Sequence, residues 1–169
     1  MSLKNTWLWI AAIAGLILDQ LTKLWVVNTF EYVAPPGIPD TWPLWQGVFH
    51  FTYVTNTGAA FSMFSENGEW LKWLSLIVSL GLIVVGAMVP LTNRWEQIGC
   101  GFILSGALGN GIDRFLTGEV VDFLDFRLIR FPIFNIADAC INIGIVCLII
   151  ATFKAPRNGN GSGGKKLQS

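Results

Sequence analysis

The chain has 169 residues, 53% of them hydrophobic and only 13% charged, with a mean hydropathy of +0.55. That is too apolar for a domain of this size to hide from water by itself, so water is not its only solvent. Eleven basic residues balance eleven acidic ones, which leaves no basic stripe for nucleic acid and argues against a nucleic-acid role. The lone His50, with no CxxC or HExxH spacing in the chain, argues against metal catalysis, and no cofactor is expected.

A membrane helix needs about 20 mostly apolar residues to cross about 30 Å of hydrocarbon. Four windows come near that length, at 7–27, 70–89, 95–112 and 136–153. The first is too long for a removable signal peptide and lacks the small-residue cleavage pattern, so it is expected to stay in the mature protein. It carries Asp19 and Lys23 four residues apart, a spacing that suits an ion pair inside the membrane. Residues 28–69 follow as a long segment outside the spans. Trp42, Trp45, Val48, Phe49, Phe51, Tyr53 and Val54 lie there between Pro35-Pro36-Gly37 and Asn56-Thr57-Gly58, which predicts a small β-sheet. An amphipathic interfacial piece is expected at 61–70. After the second and third spans comes a shorter outer segment, 113–135, again with a strand-like run. Trp7, Trp9, Trp25, Trp70, Trp73 and Trp95 cluster at span ends, where indole rings favour the headgroup region.

The small residues of the third span, Gly99, Gly101, Ser105, Gly106, Ala107 and Gly109, suit close helix packing. Cys100, Cys140 and Cys147 fall in apolar runs and read as small hydrophobes. Residues 158–169, rich in Gly and Asn, are expected to be a disordered tail behind a single domain at 1–157. The fold class expected is a membrane all-α bundle of four transmembrane helices, with a small periplasmic β-sheet cradle and an amphipathic interfacial segment.

Charge gives the orientation, because basic residues near span ends stay cytoplasmic. Lys4, Arg94, Lys154, Arg157, Lys165 and Lys166 face Glu96 alone on one side, which is expected to be the cytoplasm. The other side holds Lys72, Arg114, Arg127 and Arg130 against seven acidic residues. Four spans then put both termini inside.

Asp122 sits between Val120-Val121 and Phe123-Leu124, an apolar setting that costs energy unless its charge is paired or titrated away. The bland role for it is an ion pair with Arg114, Arg127 or Arg130. Asp138 stands one turn into the fourth span, with Asn142 four residues on along the same face. There the bland role is a helix start, Asn135 capping and the acid complementing the helix dipole. Two carboxylates brought together share a proton, and such a pair can activate water as base while donating a proton as acid. Asn110, Asp113 and Arg114 share a helical face at the outer end of the third span, where Arg114 can pair with Asp113 or hold a substrate carbonyl. Asn56 to Ser62 combines a turn-forming Asn, the flexible Gly58 and small residues. It can accept an extended peptide or serve only as a turn.

Five blocks, Asp19-Gln20-Leu21-Thr22-Lys23, Asn56 to Ser62, Gly106 to Arg114, Val120 to Phe123, and Phe134 to Asp138, occur in the order and spacing of one family. With them the sequence closely resembles the lipoprotein signal peptidases, the bacterial type II signal peptidases. The resemblance implies an aspartic endopeptidase of the cell (inner) membrane, with Asp122 and Asp138 as catalytic dyad near the periplasmic face. It implies that Asp19, Asn56, Asn110, Arg114 and Asn135 line the site, with Lys23, Asp113, Gly58 and Asn142 in support. The implied substrate is a prolipoprotein whose lipobox Cys already carries diacylglyceryl, with membrane lipid around it and cleavage just before that Cys. The implied inhibitors are globomycin-type cyclic peptides. Gly111 departs from the family, which often has a larger residue there, and is expected to loosen the helix end carrying Arg114. Which aspartate is acid and which is base stays open. Among rival enzymes, an intramembrane serine protease lacks its G-x-S-G context. A Ser/Lys peptidase would need Lys23 away from Asp19. From another class, a proton-coupled carrier would use Asp19, Asp113 and Asp138 as a relay, although these acids gather at one face.

Overall fold

The computed structural model describes residues 5–34, 37, 39, 41–58, 69–129 and 131–154. The expected interfacial piece at 61–70 and the tail at 158–169 lie almost wholly outside them. In chain order the elements are α1 (Thr6–Thr29), β1 (Thr41–Trp45), β2 (Phe49–Asn56), α2 (Trp70–Met88), α3 (Arg94–Leu116), β3 (Val120–Phe126) and α4 (Ile136–Lys154). Helices α1, α2 and α4 are long and apolar enough to cross a membrane.

Their burial is inverted relative to a water-soluble bundle. On α1 the inward stripe is Leu8, Ala11, Ala12, Gly15, Asp19, Lys23 and Val26, small or charged, while Ile10, Ile13, Ile17, Leu18, Leu21 and Leu24 face outward. A helix that hides its charges and shows its leucines is built for hydrocarbon.

Helix α3 is the central element and packs against α4, α1 and α2. Its glycines let the backbones touch. A Cβ on Gly106 would meet the Ala137 carbonyl of α4, and one on Gly109 would meet the Asp19 carboxylate of α1. Helix α3 runs unbroken through Gly111 to Leu116, so the helix that carries Arg114 continues past the glycine expected to loosen it. Asn5 ties the start of α1 to the end of α2. Its Nδ2 donates to the carbonyls of Gly86 (3.0 Å) and Val89 (2.6 Å), two of the acceptors a helix C-terminus leaves open.

The three strands form one antiparallel sheet in the order β1-β2-β3. One face is aromatic and sits on the end of α1. Trp25 and Phe51 meet at 5.3 Å between ring centroids and Phe51 and Phe123 at 6.1 Å, and Val26, Phe30 and Phe123 are buried together. After β3 the chain folds back, and Phe134 bridges to Leu124 through N–H···O contacts of 2.8 and 3.2 Å. That return delivers Asn135 and the start of α4 to the side of β3.

Gly106→Ala is expected to lower stability by about 1–3 kcal/mol, the usual cost of overpacking, because the blocking atom is backbone and cannot swing away. Thermal unfolding of the purified variant in detergent checks this.

Candidate active site

Asp122 and Asp138 reach the site from different elements, a strand and a helix first turn, and neighbouring amides hold both. On β3, Phe123 faces the aromatic cluster while Asp122, also buried, receives Asn135 Nδ2 at 2.7 Å and Asn56 Nδ2 at 3.0 Å. None of the arginines weighed as its ion-pair partner takes that place among the described residues. Arg127 pairs with Asp125 at 2.7 Å, and Arg114 goes elsewhere. Asp138 belongs to a reciprocal cap. Its N–H donates to Asn135 Oδ1 at 3.0 Å, and its Oδ2 accepts from the Asn135 N–H at 3.3 Å. The capping reading of Asp138 therefore holds, and it leaves Oδ1 to accept from Asn110 Nδ2 at 2.8 Å. Asn142 donates to the Asp138 backbone carbonyl at 2.9 Å.

Behind this layer lies an ionic one. Lys23, 4% exposed, pairs with Asp19 at 2.9 Å and with Asp113 at 2.7 Å, and donates to Asn110 Oδ1 at 3.0 Å. The expected Asp19–Lys23 pair is present. Asp113, for which Arg114 was one of the partners the sequence offered, pairs with Lys23 instead, whose ammonium lies 2.7 Å away. Gln20 Nε2 donates to both carboxylates, at 3.2 and 3.1 Å, and the Ala137 N–H in the first turn of α4 donates to Asp19 Oδ1 at 2.8 Å. With Lys23 and Asn135 both donating to Asn110 Oδ1, the Asn110 amide is turned so that its Nδ2 faces Asp138.

Arg114 reaches the carbonyls of Gly58 (3.3 Å) and Asn110 (3.4 Å), while its Nε is buried with no hydrogen-bond partner among the described residues. A free donor beside two carboxylates fits a group awaiting a carbonyl. Gly58 is itself held by a short turn, its N–H donating to Asn56 Oδ1 at 2.9 Å.

These groups open on a cavity of about 470 Å³. Asn56, Gly58, Asn110, Arg114, Asp122, Asp138 and Asn142 line it, opposite an apolar wall at 131–134. Asp19, Lys23, Asp113 and Asn135 lie behind that lining. The wall at 131–134 and Gln20 were not singled out from sequence. Gln20 and Phe134 sat inside two of the quoted blocks, whereas nothing local marks the rest of a loop that becomes a wall only by pairing with β3.

Burial, and after it the charge of Asp138, push the Asp122 carboxyl up to about 7, against the pull of Asn56, Lys23 and Asn135. Asp122 therefore holds its proton to a higher pH than an ordinary carboxyl, the kind of shift a water-activating pair uses.

The chain matches the family model for signal peptidase (SPase) II over residues 11–154. It is 64% identical over 153 residues to a lipoprotein signal peptidase of a Cyanothece species, covering 90% of this chain and 87% of that protein. It is 63% identical over 150 residues to a lipoprotein signal peptidase of Microcystis aeruginosa, covering 89% and 94%. A bacterial membrane enzyme solved by the in meso method at 2.3 Å superposes with a TM-score of 0.75 at 32% identity, covering 95% of this chain and 92% of that one.

Lys23→Met is expected to destabilise the protein by about 3–5 kcal/mol, because it leaves two buried carboxylates without a counter-charge. A lowered thermal midpoint in detergent, well beyond that of Lys72→Met at an exposed pair, is the check.

Proposed function

Because the chain belongs to the signal peptidase II family, a family of proteases of the membrane, we propose that it removes the signal peptide from diacylglyceryl-modified prolipoproteins, as an aspartic endopeptidase working through Asp122 and Asp138. One observation carries the aspartic assignment. Two carboxyls from separate elements meet at one cavity, each held by asparagine amides, with no serine or cysteine among the described residues that line it. The carrier reading gains no support from the family or the relatives.

In the proposed mechanism a water lies between the carboxyls and Asp122 holds the shared proton. Asp138, at the N-terminus of α4 and supplied with donors by Asn110 and the Asn135 N–H, takes a proton from water as its oxygen attacks the scissile carbonyl. Asp122 protonates the carbonyl oxygen, and Arg114 Nε stands ready to donate to the same peptide. Collapse of the tetrahedral species returns a proton to the departing amine, freeing the lipid-bearing Cys as the new N-terminus. Asn56 and Gly58 would hold the extended lipobox, while Asp19, Lys23 and Asp113 position Asn110.

All four helices cross the membrane in this reading, α3 with its polar outer end at the active-site layer. Residues 1–157 form one domain, both termini face the cytoplasm, and the dyad works at the periplasmic side of the cell (inner) membrane. The charge asymmetry of the loops and the belt of outward apolar side chains support that placement. Globomycin-type peptides would occupy the same cavity.

Wild type is expected to convert a diacylglyceryl-modified prolipoprotein on a gel, and globomycin to stop it. Asp122→Asn and Asp138→Asn, folded by thermal midpoint, are expected to lose at least 10²- to 10⁴-fold in rate, about what general acid–base catalysis contributes. Normal cleavage by either variant would remove that aspartate from the chemistry. For pH, the sign follows from the raised Asp122 carboxyl. The proton needed for the oxyanion is present below about 7 and leaves above it, so kcat/KM is expected to fall as pH rises through about 7. A profile still rising beyond pH 8 would contradict the assignment of the proton.

A further inference from the structure

The end of the bundle away from the cavity carries a charged layer that the mechanism above does not use. Arg94 opens α3 and Lys154 closes α4, so at 1.5 Å per residue each stands about 24 Å along its helix from Asn110 or Asp138. Each cation lies over an indole. The Arg94 guanidinium is 5.7 Å from the centroid of the Trp7 ring on α1, and Lys154 Nζ is 4.8 Å from that of Trp95 on α3. Trp7, Arg94, Trp95 and Lys154 thus form a row across three helices. The ion pairs among the described residues use Lys23, Lys72 and Arg127, which leaves the two cations of this row without an acidic partner there.

The place of Arg94 is the reverse of what a helix favours. A helix start carries partial positive charge and open N–H donors, so an acid is stabilised there and a cation is not. The starts of α1 and α3 lie side by side, tied by the Trp7 N–H, which donates to Gln97 Oε1 at 3.2 Å. No acid stands in the first turn of α1, and Glu96 is the only one in that of α3. Two positive helix ends and an exposed guanidinium therefore converge on one half-buried carboxylate, and the layer is short of an anion. Lys154, in the last turn of α4, complements the dipole of its own helix and adds its charge to the same layer. The charge bias that orients a membrane protein would be met by a cation anywhere in the loop before α3, and does not require one at the first helical residue. Toward the middle of the bundle the outer surface turns apolar at once, with Ile10 and Ile13 exposed on α1 and Ile149 and Phe153 on α4.

We propose that this layer binds the phosphate of an anionic phospholipid, with Arg94 as its principal contact and Lys154 adding to the field. A guanidinium offers a fork of N–H donors that matches phosphate oxygens, and its place over Trp7 holds that fork at the depth where headgroups lie. The acyl chains of such a lipid would run along the exposed isoleucines. A zwitterionic lipid carries its own cation and cancels most of what its phosphate supplies, so the layer selects by net charge. The inference requires the chain to sit in a membrane and is independent of which bond it cleaves.

The test titrates the purified full-length protein, in a nonionic detergent, with dioleoyl phosphatidylglycerol, dioleoyl phosphatidylcholine or inorganic phosphate, and reads the thermal midpoint. A ligand that binds only the folded protein raises that midpoint by mass action, and phosphatidylglycerol is expected to raise it by about 5 °C or more near saturation. Phosphatidylcholine and inorganic phosphate are expected to do little. The rise is expected to vanish in Arg94→Gln/Lys154→Gln and to shrink strongly in Arg94→Gln alone, which keeps the test open if the double variant does not fold. Lys72→Gln, at the other end of the bundle, is expected to keep it. An equal rise with phosphatidylcholine, no rise with phosphatidylglycerol, or a rise that survives in the Arg94 variants overturns the proposal. A rise with inorganic phosphate as large as that with the lipid would make the layer a site for a free anion and overturn the lipid assignment.

Discussion

The side-chain amide of Asn135 is the constraint on which the site depends. Fully buried, it donates to Asp122, to Asn110 and to the Val121 carbonyl, while its own oxygen caps α4 by accepting from the Asp138 N–H. One residue thus fixes the strand that carries one carboxylate, the helix that carries the other, and the asparagine between them. It can do so only because Phe134, just before it, is paired to β3. That pairing makes the start of α4 a continuation of the sheet.

Around this junction the protein resolves a conflict between its solvent and its chemistry. The chemistry needs ionisable groups, and hydrocarbon penalises each one that is unpaired. The solution is layered. The outermost acids face the cavity and are bound by amides, which can satisfy a carboxylate without neutralising it. The acids behind them share Lys23. In the proposed mechanism that inner ion triad carries no reaction; it orients Asn110 and hence the donor that Asp138 receives. The glycines of α3 allow this density of polar groups, since Gly109 leaves room for the Asp19 carboxylate where any other residue would displace it.

The sheet has its own polar network on the face away from the aromatic cluster. His50 accepts from the Gly47 N–H through Nε2 at 3.0 Å and contacts Thr41 through Nδ1 at 2.9 Å. Thr52 donates to Asp125, which also takes Arg127. Arg127, which the sequence offered as a partner for Asp122, thus pairs with Asp125; Arg130 lies outside the described residues. The network ties the β1–β2 hairpin to β3, the strand that carries Asp122.

Much of this was written in the chain. Apolar length marked the four helices to within a few residues, and three of them, α1, α2 and α4, are long and apolar enough to cross hydrocarbon, a one-dimensional requirement that composition can meet or fail. Alternating aromatic and β-branched residues marked the strands, and the spacing of Asp19 and Lys23 marked their pair. An apolar neighbourhood singled out Asp122. The tertiary structure alone decided which groups meet. Asp113 turned to Lys23 rather than to its neighbour Arg114, Gln20 joined two carboxylates, and the segment at 131–134 became a cavity wall. Partner choice among buried charges depends on distances between separate elements, and those are set by how closely α3 lets its neighbours approach. A sequence states which residues must not be left alone in the membrane, and the packed bundle determines what each of them finds there.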